Sequence, residues 1–440
     1  MTLRWGQMGS WSGLAVAIAT AAVAHVAVAQ APGGLPASAN TTNPNAPFYI
    51  DLSGLDFSTA PPTRDPRNPK YVAATELPDG SLPPKGAVGN YIIGPTHEPA
   101  PESVAQDVPK GQVITFTMTS EQSQIYNPGH VRDESSGNAA LNSASTVPGD
   151  PSNVLIPTSH PGTWTRLVSV YVPSQLHKRK KAPLLVVGDG GLFDTTIFTV
   201  LDNLIDQRRL PPMVAVTIQA GGQDAQGSQR GFEYDTVSGT YAQFVEKEVL
   251  PLVESKAGVR LTRDPEGRAT MGISSSGAAA FTMAWFHPEL YHRVLAYSTT
   301  MVNQQWPHDT ALPGGAWEYH SPWTGPAFPH ENVSGFNVPT PSSLTLGSPL
   351  IPKSEPKPIR YWFNVGDRDL WYPNPLVDGM HDWVLANENM ARVLAEKGYQ
   401  YQFIFARNAV HVDFPTLTQT LPYALEWVWQ GYQRRDRDDD

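Results

Sequence analysis

Three consecutive serines, Ser274-Ser275-Ser276, stand between an apolar run, RATMGI (268–273), and a stretch of helical composition, GAAAFTMAWF (277–286). A serine hydroxyl attacks a carbonyl only when a base takes its proton and a carboxylate orients that base. A sharp strand-to-helix turn exposes such a serine, with small residues two places to either side. With Ser274 as nucleophile, Gly272 lies at −2 and Ser276 at +2, followed by Gly277. Ser275 would have the β-branched Ile273 at −2, and Ser276 would already lie inside the helix. Ser274 is therefore the candidate. On its own the serine run reads equally well as a helix cap, so the choice rests on partners elsewhere in the chain.

Those partners follow in the order Ser…Asp…His that this kind of site requires. GDRDLW (366–371) places Asp367 and Asp369 at the end of one apolar run, and RNAVHVDF (407–414) places His411 just beyond another. Asp369 is preferred to Asp367 because it lies far enough past Gly366 to reach an imidazole, and Asp413 shares the local turn of His411. His308, His320, His330 and His381 stand apart from this pattern. An oxyanion needs two aimed backbone N–H groups. Ser275 supplies one at the helix start, and Gly190 or Gly191 in GDGGLF (188–193) supplies the other. GDGG lacks the following Gly-Lys-Ser/Thr of a phosphate loop. No cluster has zinc-ligand spacing, so no metal is expected.

The elements that must hold these residues are short apolar runs: LLVVG (184–188), MVAVTI (213–218), ATMGI (269–273), RVLAYS (293–298), IRYWFNVG (359–366) and YQFIFA (401–406). Runs of this kind, buried on both faces, belong to a parallel sheet. Helical periodicity separates them at 196–207, 241–255 and 383–398, the last stopping at Gly398. VITFTMTS (113–120) and RLVSVYVP (166–173) alternate instead, as half-buried strands do. The expected fold is α/β, a doubly wound, mostly parallel sheet with helices on both faces. Both candidate loops then fall at the carboxyl edge of the sheet, where open α/β folds bind ligands.

The chain has 440 residues, 42 prolines, 36 glycines, no cysteine and a formal charge of −10. That charge offers no footprint for nucleic acid, and the absence of cysteine excludes thiol nucleophiles and iron–sulfur centres. Residues 1–29 read as a signal peptide: Arg4, an apolar stretch from Leu14, then Ala27-Val28-Ala29 before Gln30. A secreted or periplasmic protein without a membrane anchor after cleavage is expected. Residues 30–110 read as a Pro/Gly/Ser-rich extended arm on the surface, 111–433 as the catalytic domain, and 434–440 as a charged tail. Residues 303–358, rich in Trp, Pro and Gly, read as a lid-like insertion, with Trp306, Trp317 and Trp323 as candidate contacts for an aromatic or sugar-bearing ligand.

Together APLLVVGDGG, QRGFEYDTVSGTYAQFVEKEVLPLVE, RATMGISSSGAAAF, PGGAWEYH, YWFNVGDRDLW and HVDFPTLTQTLPYALEWVWQGY resemble the esterase D-like α/β-hydrolases, and among them exported relatives of enterochelin esterase. The resemblance implies an α/β-hydrolase core and a cofactor-free serine esterase acting through an acyl-enzyme. It places the nucleophile on Ser274, the acid on Asp369 and the base on His411. It also implies a supporting cluster of Arg230, Glu233 and Tyr234 beside the site. Ser276 departs from it, standing where the second elbow glycine would be, and so do the long insertion and the N-terminal arm. The expected partner is a small-molecule or glycan-linked ester, such as an aryl, feruloyl, acetyl-polysaccharide or siderophore ester. Acyl transfer on the same triad, as in related mycolyltransferases, and a non-catalytic binding role are the alternatives.

Overall fold

The structure, a computed structural model, describes residues 71–132, 159–177, 180–222, 227–304, 314–322, 349–370 and 382–433. The expected signal peptide, the charged tail, Trp306, Trp323, His308, His330, His381 and the middle of the insertion lie outside them. The central sheet is built from β1 (Thr75–Glu76), β2 (Gly89–Ile93), β3 (Gln112–Thr119), β4 (Thr165–Val172), β5 (Leu184–Gly188), β6 (Val214–Ile218), β7 (Arg268–Ile273), β8 (Arg293–Tyr297), β9 (Arg360–Arg368) and β10 (Gln400–Val410). Their order across the sheet is β1-β2-β10-β9-β8-β7-β5-β6-β4-β3. β4 runs antiparallel to β3 and β6, and the other neighbours pair in parallel. From β3 to β10 this is the α/β-hydrolase order.

The unbroken apolar runs are explained by burial on both faces. Along β5, Leu184 and Val186 face one core while Leu185 and Val187 face the other, the period of two that a strand imposes. One face is covered by α1 (Asp194–Asp206) and α6 (Phe414–Trp429), through Ile197, Leu201, Leu417 and Leu421. On the other lie α2 (Gln229–Tyr234), α3 (Thr240–Phe244, then a π turn at Val245–Val249 and Leu250–Ala257), α4 (Ser275–Phe286) and α5 (Trp383–Glu396). In α4 the residues Ser275 to Trp285 are all buried, and alanine and glycine in its first turns let it lie close on β7 and β8. Among the described residues no helix is long and apolar enough to cross a membrane.

The arm departs from expectation. Instead of only lying on the surface, its described part adds β2 beside β10 and β1 beside β2, so the sheet begins well before residue 111. It then passes over α6 and α1. Ala100 N–H donates to Thr418 O (3.1 Å), Asn203 Nδ2 donates to Glu102 O (2.8 Å), and Gly111 N–H donates to Asp202 Oδ1 (2.7 Å). Proline and glycine hide this role, because they weaken the periodic signal without preventing edge pairing.

The described ends of the insertion also differ from a lid. Gly315–Tyr319 forms a buried 3₁₀ turn whose Tyr319 packs edge-on against Phe281 and Trp285. Trp317, expected to touch ligand, is buried in the same core. Its indole N–H donates to Pro322 O (3.2 Å) and its ring meets His320 edge-on. His320 is a core residue too: burial pulls its imidazole down to about 4, and its Nε2 bonds Met301 O (2.8 Å).

Candidate active site

At the end of β7 the chain turns straight into α4, and Ser274 takes φ 56°, ψ −125° at the junction. A non-glycine residue in that region costs about 1–3 kcal/mol and persists only where its surroundings dictate it. Here they do. Ser274 N–H donates to Tyr297 O (2.9 Å), and Ser274 O accepts from Gly277, Ala278 and Thr300 N–H (3.0, 3.2 and 3.2 Å). Ser276 Oγ closes the turn from inside, accepting from Ile273 N–H and donating to Ile273 O, both at 2.8 Å. The three serines thus divide. Ser276 is a buried brace, Ser275 is buried in the first turn of α4, and Ser274 is the partly exposed one.

Gly272 is required by this geometry, since a Cβ there would lie 2.0 Å from Ser276 O. Ser276 in place of the second elbow glycine has its own consequence. A Cβ on Gly188, at the end of β5, would lie 2.6 Å from the Ser276 Cβ. The two positions share one space, so Gly188→Ala should destabilise the fold by about 1–3 kcal/mol through overpacking. Ser276→Gly has its own cost, since it removes the brace on Ile273. In that background Gly188→Ala should cost less than it does alone, the coupling being read in a denaturant double-mutant cycle. Strictly additive effects would show that the two positions do not share that space.

Asp369 and His411 meet through the pairing of β9 with β10. Gly366 pairs with Ala406, but Arg368 pairs with Val410, so β10 takes four steps where β9 takes two. This bulge carries His411 forward until it lies beside Asp369. His411 Nδ1 is 2.6 Å from Asp369 Oδ1, and His411 Nε2 is 2.9 Å from Ser274 Oγ. Asp369 is 2% exposed, and its Oδ1 also accepts from Leu370 N–H (2.8 Å). Asp367 instead accepts from Ala409 N–H (3.2 Å) inside the bulge, and Asp413 caps α6 by accepting from Thr416 N–H (2.9 Å). Neither is bonded to the imidazole.

Beside His411 lies Trp383, the first residue of α5, ring edge toward ring at 5.8 Å. Asp382 caps that helix by accepting from Leu385 N–H (2.9 Å). Burial pushes its carboxyl up to about 7 against the pull of the Leu385 and Val384 amides, and the charge of Asp369 adds to the rise. Trp383, Asp382 and the hydroxyl of Thr300, 3.3 Å from Ser274 Oγ, carry no motif and were not anticipated from the sequence.

The loop after β5 corrects one expectation. Gly190 N–H, expected to face an oxyanion, donates to Ile218 O (2.9 Å) on β6, and a Cβ at Gly190 would press on the same strand. Gly190 is a packing glycine. Gly191, at φ 92°, donates its N–H to Asp194 Oδ1 (2.8 Å), so an oxyanion reaching that amide would have to displace a carboxylate. Ser275 N–H, in the first turn of α4, has no acceptor among the described residues and remains the open donor. Arg230, Glu233 and Tyr234 stand directly behind the loop. Arg230 grips Asp189 through two bonds (2.9 and 2.8 Å), and Tyr234 OH accepts from Asp189 N–H (3.1 Å). Glu233 pairs with the fully buried Arg166. A buried pair of this kind loses heavily if one partner is removed, which fits a frame for the loop. Among the described residues no group of His, Asp and Glu could hold a metal ion.

The arrangement can move a proton from Ser274 to His411, hold the resulting imidazolium against Asp369, and offer a helix-start amide to an oxyanion. Residues 159–334 match a family model described as "Putative esterase". No curated protein matches the chain. Among solved structures, a ferulic acid esterase is 16% identical, with 73% of this chain and 100% of that chain covered at a TM-score of 0.43. The enterobactin esterase of Shigella flexneri is 18% identical over 60% of this chain and 56% of its own, TM-score 0.41. The feruloyl esterase module of Clostridium thermocellum is 14% identical over 77% of this chain and 96% of its own, TM-score 0.41.

Proposed function

We propose that this esterase-like α/β-hydrolase is an exported serine esterase that cleaves a carboxylic ester through an acyl-enzyme on Ser274. The reading rests above all on the unbroken relay from Asp369 through His411 to Ser274, at 2.6 and 2.9 Å. Ser274 Oγ attacks the ester carbonyl carbon as its proton passes to His411 Nε2. The oxyanion is met by Ser275 N–H, with Gly191 N–H as the second donor once Asp194 is displaced. Collapse of the tetrahedral intermediate expels the alcohol, which takes the proton from His411. Water then attacks the acyl carbon with His411 as base, and the acid leaves. Export is supported by the Arg4, apolar and Ala27-Val28-Ala29 sequence of the N-terminus.

The substrate reading is an aryl, feruloyl or acetyl-polysaccharide ester, or a siderophore ester. Two measurements test the proposal. A fluorophosphonate should phosphonylate Ser274 stoichiometrically, as read by peptide mass spectrometry. A panel of 4-nitrophenyl acetate, feruloyl sugars, acetylated xylan and a catecholate siderophore should then rank the acyl groups. Failure to label Ser274, with no turnover of any ester, would leave a binding protein on a hydrolase scaffold. Label together with acyl products formed on an added alcohol, but not on water, would make it a transferase.

A further inference from the structure

Directly after β8, Ser298-Thr299-Thr300 touches each of the loops and strands that carry the Ser–His–Asp relay. Ser298 N–H donates to Asn364 O (3.0 Å) on β9, the strand leading to Asp369. Ser298 Oγ accepts from Val412 N–H (2.8 Å), the amide next to His411. Thr300 N–H donates to Ser274 O (3.2 Å), and Thr300 Oγ1 lies 3.3 Å from Ser274 Oγ. All three residues are at most 1% exposed, and Ser298 holds φ 46°, a left-handed value rare outside glycine. Thr299 is anchored from the other side, its carbonyl accepting from Asn387 Nδ2 (2.9 Å) and its hydroxyl from Tyr361 OH (3.3 Å).

We propose that Thr300 is a positioning residue whose hydroxyl donates to Ser274 Oγ and so turns the serine proton toward His411; the inference rests on the esterase reading above. The direction of the bonds follows from donor accounting. His411 Nδ1–H donates to Asp369, which leaves Nε2 as an acceptor. Ser274 O–H therefore donates to Nε2, and the free lone pairs of Ser274 Oγ face the Thr300 hydroxyl. If Ser274 donated to Thr300 instead, its proton would point away from the base. Ser298 supports the same arrangement by tying the amide after His411 to the strand that precedes Asp369.

The test compares Thr300→Val, which keeps the shape without the hydroxyl, with Thr300→Ser, which keeps the hydroxyl. Two quantities are read: the rate of phosphonylation of Ser274 by a fluorophosphonate, and kcat and KM on 4-nitrophenyl acetate. Thr300→Val should slow both labelling and kcat by about three- to tenfold, the worth of one hydrogen bond, with KM within about twofold. Thr300→Ser should restore most of the rate, and the thermal midpoints show that each variant is folded. Equal losses in both variants would assign the effect to packing and overturn the proposal. An unchanged or faster Thr300→Val would overturn it as well, the latter showing that Thr300 competes with His411 for the serine proton. A wild-type protein that does not label at Ser274 would bring down the esterase reading itself, before any variant is compared.

Discussion

Ser274→Ala should lower kcat toward any ester the protein turns over by about 10³-fold or more. The hydroxyl that disappears makes two side-chain contacts, with His411 Nε2 and with Thr300 Oγ1. The strained backbone at φ 56° is held by main-chain bonds that alanine keeps. Loss of activity should therefore come with little change in thermal midpoint. Ser275→Ala is the control, since the proposed mechanism uses only its backbone amide, and it should keep most of the rate. An inactive Ser275→Ala beside a Ser274→Ala that keeps its rate would mean that the elbow has been read in the wrong register.

Asp369→Asn is the second large effect, expected at roughly 10³- to 10⁴-fold in kcat. The 2.6 Å bond to His411 Nδ1 comes from a carboxylate shielded from water. When Ser274 gives up its proton, the imidazolium that forms is stabilised by that charge with little solvent screening. An amide removes the charge, and if its NH₂ faces Nδ1 it also selects the wrong tautomer. Asp367→Asn should do little, because an amide oxygen can still accept from Ala409 N–H inside the bulge. Both variants are compared by kcat on 4-nitrophenyl acetate after folding is checked by circular dichroism. Equal losses would show that the geometry of the bulge, rather than the charge on Asp369, carries the effect.

Most of the fold could be read directly from the chain. The runs at 184–188, 213–218, 269–273, 293–298 and 359–366 are strands within two residues of the expected ends, and the helices at 196–207 and 383–398 begin and stop close to where their periodicity does. These signals survive because each is local: a strand buried on both faces must be apolar throughout, and a helix must repeat its apolar face. β1 and β2 were missed for the converse reason. They are short strands at one end of the sheet: β2 pairs with β10, more than 300 residues away, and β1 pairs with β2.

From the sequence alone came the choice of Ser274, because only that register leaves glycine at −2 beside a strand-to-helix turn, and the order of serine, acid and base. Tertiary structure decided what depends on distant backbone. The bulge between β9 and β10 assigns Asp369 to His411 and leaves Asp367 to Ala409. The pairing of Gly190 with β6 removes its amide from the site, and Asp194 occupies that of Gly191. Packing sends Trp317 into the core and brings Thr300 onto Ser274. Residue type limits what a side chain can do, but a backbone amide or carbonyl is alike in every residue. Where each one points is set by register and packing across the whole sheet, and no short stretch of sequence records that.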